Sequence, residues 1–143
     1  MAFPEERPRR LRRTSALRQL VAETSLASDD LVAPLFVAEG RREPQPISSL
    51  PGQMQHTLDS LRAEVHELVA RDVRSVILFG VPETKDEFGS GAYDENGIAQ
   101  VALRMLRDEF GDDIVLMADL CLDEYTSHGH CGIVKGDGTL DND

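Results

Sequence analysis

The sequence predicts an α/β fold built on a parallel sheet. Three observations carry that prediction. Apolar runs of strand length occur at 31–37, 76–79 and 114–120. Two stretches with apolar residues at helical spacing, 57–69 and 96–110, alternate with them. The strand runs are continuously apolar rather than alternating, as in strands covered on both faces, and helical crossovers between such strands make them parallel.

The 143 residues suffice for one ordinary domain. Three parallel strands are few for a finished sheet, and a closed (β/α)₈ barrel needs eight over roughly 250 residues. Residues 29–143 are therefore expected to be the first part of a larger α/β domain, preceded by an arm and a short helix at 1–28. Apolar residues make up 41% of the chain, with 5% aromatics and no Trp, so the core must be built from Leu, Val, Ile and Ala.

The net charge of −11 argues against nucleic acid and against anionic membrane surfaces. The charge is uneven. Residues 1–13 carry five Arg against two Glu, net +3, which leaves −14 for the remainder. A basic arm on an acidic body suits docking on acidic protein surface, its own or a neighbour's. Two cysteines do not make a disulfide framework, and a bridge between them is conceivable without being needed at this size. The first ten residues hold no apolar signal-peptide core, and no run reaches membrane-spanning length. The expected setting is the cytoplasm.

Taken in order, Pro4, Pro8 and the arginines give an extended arm. A short helix follows over 14–26, with Thr14 or Ser15 as N-cap. Pro34 within 31–37 cannot donate to a ladder, which places it at a strand end or bulge. Residues 38–53 read as loop, with Pro51-Gly52 as a type II turn. Thr57 caps a helix whose Leu58, Leu61, Val65, Leu68 and Val69 share a face. Gly80 ends the second strand, and 82–97 is a polar loop. Ile98, Val101, Ala102, Met105 and Leu106 form the stripe of the next helix, with Gly111 as its stop.

The third run leads into Asp119-Leu-Cys121-Leu-Asp123-Glu124-Tyr125-Thr126-Ser127-His128-Gly129-His130-Cys131. Functional groups of parallel α/β folds gather at the C-terminal ends of strands, where this run lies. Cys121, Asp123 and Cys131 offer two thiolates and a carboxylate. Thiolates suit Zn²⁺, whereas the carboxylate admits Mg²⁺ or a looser site. Cys121 and Asp123 share a face in extended backbone, and a loop through Gly129 could return Cys131 to them. Three ligands would leave an open position, the pattern of a catalytic zinc. The competing reading makes Cys121 a small core residue and Cys131 a loop thiol, and C-x₉-C is not a recognised zinc spacing. His128 and His130 could ligate, move protons, or simply bond to backbone. Asp119 could act as a base, orient a cation, or form a turn. Adjacent Ser127 and His128 cannot face each other as nucleophile and base, so no triad is expected. Gly89-Ser-Gly91 lies too far past its strand for a phosphate loop.

The run 119–132 resembles the metal-site segment of the porphobilinogen synthase (δ-aminolevulinate dehydratase) family. Further matches are Arg7-Pro-Arg-Arg-Leu-Arg12, Leu31-Val-Ala-Pro-Leu-Phe-Val37, Leu50-Pro-Gly52, Arg74-Ser-Val-Ile-Leu-Phe-Gly80, Asp86-Glu-Phe-Gly-Ser90 and Asp141-Asn-Asp143. The resemblance implies a TIM barrel whose arm wraps a neighbouring subunit, usually in an octamer. It implies condensation of two δ-aminolevulinate molecules to porphobilinogen. It makes Cys121, Asp123 and Cys131 the metal ligands, Asp119 an active-site carboxylate, and Ser127, His128 and His130 supporting residues around them.

Two departures stand out. Zinc-type family members carry three cysteines here, and this chain has Cys, Asp, Cys, so zinc is expected to bind more loosely, with magnesium as the other candidate. The family also forms Schiff bases on two later lysines, with substrate-carboxylate contacts beyond residue 143. Lys85 and Lys135 are the chain's only lysines and match neither. The expectation is an N-terminal portion, inactive alone. The alternative is a non-catalytic metal-binding or subunit-interaction module.

Overall fold

The computed structural model describes residues 4–141. Its centre is a sheet of five strands: β1 (Val32–Ala38), β2 (Gln45–Pro46), β3 (Met54–His56), β4 (Ser75–Val81) and β5 (Val115–Ala118). Their spatial order is β2-β3-β1-β4-β5. β1 and β4 pair in parallel from Val32–Ser75 to Ala38–Val81, and β4 and β5 from Ser75–Val115 to Leu78–Ala118. The expected parallel α/β order is therefore present. Two short strands were not expected: β3 runs parallel to β1 at Phe36 and Val37, and β2 turns back antiparallel on β3. The turn before β3 is the one that Pro51-Gly52 signals. Gly52 has φ 89°, and the Gln53 N–H donates to the Leu50 carbonyl at 3.0 Å.

Pro34 sits inside β1 rather than at its end or at a bulge, in register with Ile77. β3 reaches only Phe36 and Val37, so β1 has an open flank beside Pro34, where a residue without a donor is tolerated.

Helix α2 (Leu58–Ala70) starts where expected. Thr57 Oγ1 accepts from the Ser60 N–H at 3.1 Å, and Ser60 Oγ accepts from the Thr57 N–H at 3.0 Å. Helix α3 (Ile98–Phe110) follows β4. Leu61 and Val65 of α2 meet Ile98, Ala102, Leu106 and Phe110 of α3 over Leu35, Val37, Val76 and Leu78 of the sheet. Leu61, Val65, Ala102 and Leu106 are fully buried. Each such Leu or Val contributes about 1.5–3 kcal/mol relative to exposure.

Burial of the strands on both faces does not hold among the described residues. In β4, Val76, Leu78 and Gly80 are buried and alternate with half-buried Ser75, Ile77, Phe79 and Val81. Both helices pack on one face. The other carries Ile77, the stacked pair Phe36–Phe79 (ring centroids 5.0 Å apart) and Met117, so the runs read as continuously apolar although only one face is covered. β5 is shorter than its run and exposed at Val115 and Ala118.

The arm also differs from expectation. Pro8–Arg12 forms a 3-10 turn rather than extended chain, and α1 (Ser15–Leu20) ends well before residue 26 although Thr14 caps it as foreseen. Neither element buries a residue. No helix of the described residues is long and apolar enough to cross a membrane. Of the quoted motif at 141–143, Asn142 and Asp143 lie outside the described residues.

Candidate metal centre

Two loops leave the C-terminal ends of adjacent parallel strands, 82–97 after β4 and 119–132 after β5. They are joined through backbone. Asp86 bridges Thr126, the Ser127 N–H donates to the Asp86 carbonyl at 2.8 Å, and His128 Nε2 lies 3.2 Å from the Glu87 carbonyl. Asp86 is itself held by donors: the Phe88 and Ser90 N–H groups at 2.9 and 3.0 Å and the Ser90 hydroxyl. The Ser90 bonds hold its carboxyl below the usual range.

Asp119 continues the β4–β5 ladder one residue past the strand, its N–H donating to the Leu78 carbonyl at 3.0 Å. A tight turn follows, in which the N–H groups of Tyr125 and Thr126 both donate to the Leu122 carbonyl, at 2.9 and 3.0 Å. Gly129, with φ 72°, helps return the chain, and Cys131 arrives beside Cys121 with their Cα atoms 6.0 Å apart. One ligand-type atom from each of Cys121, Asp123 and Cys131 lies within 4.8 Å of the others. The sequence-predicted donor set is thus brought together.

In this structure Cys121 and Cys131 are bonded to each other as a disulfide. The bridge counted as dispensable in the sequence is therefore formed, because the turn delivers both sulfurs to one place. A metal would need them as thiolates, so binding here would require reduction of the bridge. Two thiolates and a carboxylate, once freed, are a zinc-type donor set.

The supporting residues divide. His128 Nδ1 accepts the His130 N–H at 3.2 Å while Nε2 faces the Glu87 carbonyl, so both its nitrogens serve backbone. His130 stacks on it with ring centroids 5.7 Å apart. Ser127 is exposed and fixed through its N–H. Three residues went unnoticed in the sequence. Tyr125 and Thr126 are 5% and 3% exposed, and the Thr126 hydroxyl donates to the His130 carbonyl at 3.0 Å. Glu124 is the third. Partial burial, then the neighbouring Asp119 and Asp123 charges, push its carboxyl up to about 7. The acidic cluster 119, 123, 124 was visible in the sequence, but its convergence was not.

A cavity of about 300 Å³ opens beside the turn, lined by Asp119, Cys121, Leu122 and Tyr125 with Ala99 and Gln100. Neither lysine lines it. Lys85 lines a separate polar cavity with Glu39, Asp86 and Asp94, and Lys135 pairs with Asp141 at 3.0 Å.

The comparisons with known proteins agree with one another. The family model described as "Delta-aminolevulinic acid dehydratase" matches residues 5–143. A protein of that name from Streptomyces coelicolor is 51% identical over 144 aligned positions, covering 99% of this chain and 44% of its own. One from Mycobacterium tuberculosis is 54% identical with the same coverage. The chain thus spans less than half the length of these relatives. The solved structure of the enzyme from Toxoplasma gondii ME49, in complex with its reaction product porphobilinogen, superposes with a TM-score of 0.88 at 35% identity. It covers 96% of this chain and 40% of that one. The sheet described above is accordingly part of a TIM barrel. From its metal-type loop to its matched length, the chain belongs to the delta-aminolevulinic acid dehydratase family.

Proposed function

We propose that this chain forms the metal-binding portion of a porphobilinogen synthase, which condenses two δ-aminolevulinate molecules into porphobilinogen with loss of two waters. One observation carries the reading: Cys121, Asp123 and Cys131 converge within 4.8 Å at the C-terminal end of a parallel strand, in a chain of this family. When bound there, zinc supplies Lewis-acid charge that orients and polarises the second substrate. Asp119, one residue past β5 and lining the adjacent cavity, offers a carboxylate to the ammonium group of that substrate. The same cavity wall, with Leu122, Tyr125 and Ala99, shields that ion pair from water and strengthens it. Ser127, His128 and His130 hold the loop shape around the ligands.

Imine formation requires a lysine amine. With Lys135 paired to Asp141 and Lys85 in a different cavity, the imine-forming lysines belong outside residues 1–143. Asp123, a harder ligand than thiolate, admits magnesium as the second candidate metal. A cytoplasmic setting keeps the two thiols reduced and so available. The arm, with Leu20 and Leu26 about four-fifths exposed beside its arginines, suits docking on the acidic surface of another copy in an octamer.

Metal analysis after reduction and dialysis tests the reading. The expected result is one zinc per chain and no porphobilinogen from δ-aminolevulinate with the 143-residue chain alone. A folded, reduced protein that takes up no zinc overturns the metal assignment. Porphobilinogen formation by this chain overturns the assignment of the lysines.

A further inference from the structure

We propose that Tyr125 is a positioning residue for the metal centre, its ring fixing the relative placement of the two cysteine-bearing segments. The inference rests on the metal reading above. The loop 119–132 is mostly exposed or half-buried, and Tyr125 with Thr126 is its buried part. The ring occupies a slot that only small residues leave open. A Cβ on Gly80, at the end of β4, would collide with the Tyr125 hydroxyl and come within 3.0 Å of Ala99. A Cβ on Gly91 would stand 3.3 Å from ring atom Cδ1, and one on Gly89 3.5 Å from Tyr125 Cβ.

The buried pair is tied to both sides of the site. Leu122, next to Cys121, accepts the Tyr125 and Thr126 N–H groups at 2.9 and 3.0 Å. His130, next to Cys131, accepts the Thr126 hydroxyl at 3.0 Å. Asp123 lies inside the turn so formed. Each ligand is therefore within two residues of the buried pair or one residue from a group bonded to it. A metal site on a loop needs such support, because binding energy is otherwise spent on ordering the ligands.

The test uses the reduced 143-residue chain, with zinc affinity read by competition with a chromophoric chelator and ligand geometry by the visible spectrum of the cobalt-substituted protein. Y125F keeps the ring and is expected to bind as the parent does. Y125A and G80A are expected to weaken zinc binding about 10–100-fold, the range for residues that orient ligands, and to change the cobalt spectrum, with helical circular dichroism retained. Should Y125A lose that helical signal, G80A, which displaces the ring, and Y125L, which fills the slot without a ring, decide the point, and both are expected to bind zinc more weakly than the parent. Parent-like affinity and spectrum in folded Y125A, G80A and Y125L overturn the positioning role while the metal reading stands. A parent that binds neither ion overturns both.

Discussion

In the proposed metal site Asp123 offers a hard donor beside two soft ones, so its effect falls on metal preference. D123C is expected to tighten zinc by on the order of tenfold or more in the reduced protein, measured by chelator competition. Unchanged affinity would remove Asp123 from the ligand set. Two other side chains carry pH dependence, with opposite sign. His56 is 6% exposed, with Nδ1 3.2 Å from Ser60 Oγ, and burial lowers its pKa against the weaker opposing pull of Glu64. Its contribution to stability is present above 6.5 and is lost as pH falls through its folded value. Glu124 is raised from 4.5 to about 7, so its contribution is present below 4.5 and is lost as pH rises through about 7. Thermal unfolding of the metal-free protein should therefore show H56F flattening the acid side of the stability profile. E124Q should gain on the parent between pH 4.5 and 7. Parallel profiles for parent and variants would refute the assignments.

Among the elements, α2 and α3 were legible because their signals are local. Thr57 announces a cap by residue type and position, and the two hydroxyl–backbone bonds to Ser60 bear it out. T57A is expected to lower stability by about 1 kcal/mol in urea unfolding, the usual worth of such a cap. A change below a few tenths would mean that α2 is held by packing alone. α3 was placed by its apolar stripe, of which Ile98, Ala102 and Leu106 are buried and Met105 packs half-buried against the core; Val101 is also half-buried, and Ala99 and Phe110 join the buried set. β2 and β3 escaped notice for a different reason. Strands of two and three residues exist only through partners, and nothing in Gln45-Pro46 announces pairing with β3, or in Met54-Gln-His56 pairing with β1. α1 ends at Leu20, which is 80% exposed, so little apolar packing among the described residues favours its extension.

For the molecule as a whole, the uncovered sheet face and the free edge of β5 matter most. β5 pairs only with β4 among the described strands, and Val115 and Leu120 are 53% and 90% exposed. An open, apolar parallel edge is a template for association. The 143-residue chain is expected to elute larger than a monomer in size-exclusion chromatography with light scattering. V115K, a charge on that edge, should shift it toward monomer. A parent that is monomeric at all concentrations would show that the edge is protected.

The order of parallel strands and helices, the strand-end location of the 119–131 run and the family were all readable from residue types and short-range periodicity. That is because apolar spacing, caps and a dense motif are properties of contiguous chain. Other features were decided only in three dimensions. The helices cover one face of the sheet, Cys131 returns to Cys121 to form a bridge, Glu124 converges on two other carboxylates, and Tyr125 sits in a slot between three glycines and Ala99. Each depends on groups brought together from separate strands and loops, and the physical chemistry of Cys121, Asp123 and Cys131 follows from that assembly.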